Sequence, residues 1–121
     1  MKQLLFVFIG GGVGSVARFL IGKWLNSSQT GIPYGTFAAN IIGSLLIGLI
    51  LGFAAKSETL SQNQTLMLAT GFCGGFTTFS TFAYENHLFL KTGDFTSFAF
   101  YTVLSFIVGF GAVFLGMYMV K

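Results

Sequence analysis

The sequence predicts an all-α integral membrane protein with four transmembrane helices, the third of them broken. Three observations predict it. Hydrophobic residues make up 54% of the 121 positions and charged residues only 7%, against about a quarter charged in a soluble domain. The few charges leave long neutral runs at 3–17, 24–55, 59–84 and 95–120, and a helix needs about 20 apolar residues to cross a bilayer. The third run also carries a glycine- and threonine-rich stretch that opposes helix formation. This composition excludes an ordinary soluble globule. It also excludes a disordered chain and a nucleic-acid module, which needs a dense basic footprint.

The first span is expected at about 4–24. It extends through Arg18, whose long side chain can snorkel or face protein. Lys2, the apolar run Leu4–Ile9 and Ser15-Val16-Ala17 mimic the parts of a signal peptide. Gly10-Gly11-Gly12 cuts that run short, and hydrophobicity continues past Arg18, which favours a retained span. The second span is expected at about 33–55, the third at 63–89 and the fourth at 95–119. Turn-rich connections separate them: Asn26–Gly31, Lys56–Thr59 and Lys91–Asp94. The chain reads as a single membrane domain, 1–121, so its function must lie within the membrane. Cys73 is the sole cysteine, so no internal disulfide forms.

Four spans put both termini on one face, with Lys2, Lys56 and Lys121. The opposite face has Lys23 and Lys91, plus Arg18 if it reaches the interface. Orientation follows Lys/Arg asymmetry, and here the two sides nearly balance. Either a small bias selects one orientation or the chain inserts both ways, and inverted copies then pair about an axis in the membrane plane.

Small residues recur at helical spacing: Gly10 and Gly14, Gly48 and Gly52, Gly71 and Gly75, Ala112 and Gly116. In lipid such stripes let helix backbones pack closely.

Residues 71–82 read Gly71-Phe72-Cys73-Gly74-Gly75-Phe76-Thr77-Thr78-Phe79-Ser80-Thr81-Phe82. Unpaired backbone at membrane depth is tolerated only in protein or beside a wet cavity. A broken helix there frees carbonyls for a cation and amides for an anion. The alternative is a continuous helix whose hydroxyls bond back to their own turn. Phe79 and Phe82 lie three apart, on one helix face.

Asn40 sits mid-span in the second helix, with Thr36 one turn before and Gly43 and Ser44 one turn after. Its amide serves either as interhelical glue or as a donor to an anion. Tyr101 and Ser105 share a face of the fourth span; each either joins a polar track or satisfies nearby backbone. Arg18 stands at the mouth of an anion path or is a structural arginine bonded to carbonyls or headgroups. Glu85 is expected in a local salt bridge or as an amide cap. His87 is expected on the surface and Cys73 as a small buried residue. No nucleophile–base pair or His/Cys metal cluster appears, so an enzyme is not expected.

These residues together resemble the small bacterial fluoride channels of the Fluc/CrcB family, over the full length and all four spans. The resemblance rests on residues 11–19 (GGVGSVARF), 35–43 (GTFAANIIG) and, most specifically, Gly71 to Phe82 followed by Glu85. It implies an antiparallel, dual-topology homodimer in the bacterial inner membrane, with two fluoride pores at the dimer interface. It implies pore roles for Phe79, Phe82 and Asn40, with Tyr101 and Ser105 flanking. It implies that the backbone carbonyls of Gly74 and Thr77, from both subunits, hold a central sodium ion that is structural and not transported. Gly109 stands where the family often carries a further hydroxyl, and Ser15 where it commonly has alanine.

The chemistry expected is passive export of fluoride, with aromatic ring edges, which carry partial positive charge, and hydrogen-bond donors replacing water. A small dual-topology multidrug exporter is one rival. It would want a carboxylate deep in a span, and none lies within the four neutral runs. A non-transporting membrane scaffold is the other; in it, Phe79→Ile would be nearly silent.

Overall fold

A computed structural model of the chain describes residues 1–26, 31–56 and 60–120. The parts of the expected connections at 27–30 and 57–59, and the charge of Lys121, lie outside the described residues. The fold is all-helical, and four helices among the described residues are long and apolar enough to cross a membrane. The first is α1 (Lys2–Leu25) and the second α2 (Tyr34–Lys56). The third span comprises α3 (Gln62–Thr65), a π-helix (Leu66–Cys73), α4 (Gly74–Phe76) and α5 (Ser80–Thr92). The fourth is α6 (Phe95–Met119).

The glycine stripes set which helices meet. α1 packs on the π-helix and α4, while α2 packs chiefly on α6. A side chain at Gly10 would meet the Met67 carbonyl, and one at Gly14 the Phe72 carbonyl. Reciprocally, one at Gly75 would meet the carbonyl of Gly11. On the other seam, a side chain at Gly48 would meet the Val113 carbonyl and one at Gly116 the Leu45 carbonyl. Backbone carbonyls held in helices cannot swing aside, so these contacts demand glycine. Gly14→Ala is therefore expected to cost about 1–3 kcal/mol through overpacking. Gly12→Ala is expected to be tolerated, because nothing lies within 4 Å of its added carbon. Thermal unfolding of the two variants in detergent checks the contrast.

Helix ends follow local chemistry. Ser61 and Gln64 form a reciprocal capping box at α3, satisfying two amides at once. α5 stops at Gly93, whose φ of 80° lies in the left-handed region that glycine adopts without strain. Asp94 then caps α6 by accepting from the Ser97 amide at 3.1 Å. Bonding from Ser97 holds the Asp94 carboxyl below its ordinary range.

The third span breaks after Phe76. Thr77 is extended, with φ −91° and ψ 158°, and the helix restarts at Ser80. The glycine- and hydroxyl-rich stretch thus yields an interruption rather than a continuous helix. The π-helix just before it is a feature that the residue pattern did not announce.

Candidate functional site

The break is held open by side chains from elsewhere. Asn40 on α2 treats Thr78 as a strand would: its Nδ2 donates to the Thr78 carbonyl at 3.1 Å, and its Oδ1 accepts the Thr78 amide at 2.8 Å. The glue reading of Asn40 is therefore realised, against the break itself. One amide hydrogen of the NH2 is used; the side chain carries a second. Thr77 bonds back to its own turn, its hydroxyl donating to the Cys73 carbonyl at 2.9 Å. Its methyl seats over Gly43, where an added side chain would collide with it.

These diversions strip two carbonyls of their helical partners. In an unbroken helix the Gly74 carbonyl would accept from Thr78 N–H, and the Thr77 carbonyl from Thr81 N–H. The first amide goes instead to Asn40 and the second to the Thr78 hydroxyl, at 3.2 Å. Gly75, between them, accepts from Arg18 Nε at 3.1 Å. Gly74 and Thr77 are thus among the residues whose carbonyls the break deprives of their usual amide, and carbonyl oxygen suits a hard cation. Among the described residues, no group of three His, Cys, Asp or Glu gathers to bind a metal.

Beside the break runs an open groove of about 310 Å³ between α2, the third span and α6. Asn40, Gly74, Thr77, Phe79, Phe82, Ser105 and Gly109 all line it. The two phenylalanines differ in setting. Phe79 is 74% exposed, whereas Phe82 is 7% exposed; their ring centroids lie 6.0 Å apart at 42°. Phe82 packs on Tyr101 at 5.1 Å and meets Phe106 edge-on at 6.0 Å. Tyr101 does not line the groove; it stands behind Phe82, 2% exposed. Ser105 lines the groove, and its hydroxyl oxygen is buried without a hydrogen-bond partner among the described residues. At Gly109 an added side chain would lie 3.9 Å from the Ser44 hydroxyl oxygen, so Ser44 supplies polarity where Gly109 cannot.

Glu85 departs from the salt bridge or amide cap expected of it. Its Oε2 accepts from the Thr36 hydroxyl at 2.7 Å and its Oε1 from Tyr101 at 2.8 Å. The reason is tertiary: α2 and α6 bring hydroxyls to it across the bundle. Tyr101 accordingly satisfies a carboxylate, not nearby backbone. Thr36 and Thr78 lie within the runs at 35–43 and 71–82, but the sequence pattern alone does not mark them as site residues. Arg18, bonded to Gly75, also lines a second recess with Lys23, Thr36, Thr78 and Thr81. His87 is exposed and Cys73 buried.

The family profile described as CrcB-like protein, Camphor Resistance (CrcB), matches residues 5–117. The chain belongs to the CrcB family. A relative from Gloeothece citriformis, named fluoride-specific ion channel FluC, is 49% identical, covering 100% of this chain and 98% of its own. Relatives of the same name from Bacteroides fragilis and Leptospira interrogans are 46% and 41% identical. They cover 98% and 99% of this chain, and 96% and 95% of their own. These CrcB relatives are ion channels by name, and the family is not an enzymatic one. With four spanning helices, this CrcB chain is a multi-pass membrane protein.

Proposed function

We propose that the chain is a fluoride-selective channel. It exports fluoride passively across the bacterial inner membrane through two pores at the interface of an antiparallel homodimer. The observation that carries this reading is the groove: a buried and an exposed phenylalanine, a mid-membrane asparagine and a serine line one open trough. Fluoride is small and strongly hydrated, so it must exchange water for fixed donors yet leave again. Ring edges of Phe79 and Phe82 supply weak positive charge, and the spare Asn40 hydrogen and Ser105 supply hydrogen bonds. The trough lies open on the surface of one chain, and Phe79 projects from it, which suits closure by a second copy. Near-balanced charge suits that copy being inverted.

The carbonyls of Gly74 and Thr77 are proposed to hold a sodium ion shared with the inverted copy. Gly74 is exposed and Thr77 half-buried, as a shared site requires. When bound, the cation neutralises carbonyl dipoles at the break and lowers the cost of an anion nearby. The chain's residues do the rest: Asn40 fixes Thr78, and Thr78 caps Thr81, so the break is held in place.

Anion efflux from liposomes with purified protein tests the reading. Fluoride should leave far faster than chloride; equal rates would refute the channel assignment. Replacing sodium by a bulky organic cation should slow the fluoride flux, and indifference to it would remove Gly74 and Thr77 from the cation site.

A further inference from the structure

The joint between α1 and α2 carries a residue that none of the roles above uses. Pro33 precedes α2, and its carbonyl accepts from Phe37 N–H at 3.1 Å, so it occupies the N-cap. It has no side-chain acceptor for the first amides of the helix, which need one. Asn26, just past the end of α1, supplies it. Its Oδ1 accepts from the Gly35 amide at 2.6 Å and the Thr36 amide at 3.3 Å. Gly35 makes room for this: an added side chain there would stand 2.8 Å from Asn26 Oδ1.

Asn26 does a second thing. Its Nδ2 donates to the Thr36 hydroxyl oxygen at 3.4 Å. A hydroxyl has one hydrogen to give. With its oxygen accepting from Asn26, Thr36 directs that hydrogen to Glu85, whose other oxygen takes the Tyr101 hydroxyl. Tyr101 in turn backs the Phe82 ring. Thr36 and Tyr101 are 5% and 2% exposed, so water does not readily substitute for either link. The line joins all four spans.

We propose that Asn26 is a positioning residue for conduction: by orienting the Thr36 hydroxyl on Glu85, it holds Tyr101 and therefore Phe82 in place at the groove. This inference rests on the channel reading. It differs from a plain capping role, because a cap needs only Oδ1 whereas orientation of Thr36 needs the NH2.

Asn26→Asp separates the two. It keeps an acceptor for the α2 amides, where a negative charge is favourable, and it removes the donor to Thr36. Fluoride efflux is expected to fall roughly three- to tenfold, the scale of one lost hydrogen bond. The side-chain carboxyl carbon resonance of Glu85 is expected to move in protein labelled at glutamate. Glu58 and Glu85 are the only glutamates, so Glu85→Gln assigns the signal. Adding Thr36→Val to Asn26→Asp should cause little further loss of flux. Wild-type flux with an unmoved resonance, or fully additive losses, would overturn the proposal. If the unmodified protein carries no fluoride, the channel reading falls, and the Glu85 resonance still decides whether Asn26 orients this line.

Discussion

Phe79→Ile is expected to cut fluoride efflux at least tenfold while leaving the folded protein intact. The side chain is 74% exposed in a single chain, so losing its ring removes little of that chain's core. What it removes is the positively polarised ring edge, for which an aliphatic side chain has no substitute. A tenfold fall corresponds to about 1.4 kcal/mol on the barrier, a modest demand on one ring facing a desolvated anion. Phe82→Ile should lower flux as well, with a second consequence. Phe82 is buried among Tyr101, Phe79 and Phe106, so its replacement disturbs packing and should also lower thermal stability. Liposome efflux paired with thermal unfolding in detergent separates the two effects. Intact flux in Phe79→Ile would remove that ring from the pore.

Asn40→Ala is expected to be more damaging still, because it removes the latch on Thr78 together with the proposed pore donor. Both backbone groups of Thr78 lose their partner. A buried polar group left unsatisfied costs about 1–3 kcal/mol, so two such groups reach a few kcal/mol. That is a large share of the about 5–15 kcal/mol that stabilises a typical folded protein. The expected outcome is a lower yield of monodisperse protein, a lower unfolding temperature and no measurable fluoride flux. Asn40→Ala with normal stability would mean that Thr78 finds other partners. Normal flux would remove Asn40 from the path.

Much of this was legible in the residues. The four spans follow from where charges are absent, and their packing from glycines four apart. The interruption at Thr77 follows from a run that combines weak helix formers with hydroxyls able to bond locally. The groove residues are legible for the same reason: they are polar or aromatic groups at depths where lipid would otherwise exclude polarity. What stayed hidden depends on tertiary approach. The π-helix has no compositional mark in Leu66–Cys73. Glu85 sits near a span end, where a carboxylate ordinarily meets a cation; only the fold brings Thr36 and Tyr101 to it. Asn26 looks like one polar residue in a turn-rich sequence, because the amides it serves, those of Gly35 and Thr36, lie nine and ten residues further along the chain. The depth of Asn40 follows from its mid-span position, but its partner, the Thr78 backbone, becomes available only once the helix has broken.

The proposed pore needs a second, inverted copy to close the groove. Membrane orientation tests this most directly. Thr92→Cys places a thiol at an exposed position at the end of α5, while the native Cys73 is buried. Intact cells are treated with a membrane-impermeant maleimide, before and after permeabilisation. Comparable labelling from the two sides is expected, as equal populations of opposite orientation require. Labelling from one side alone would contradict it.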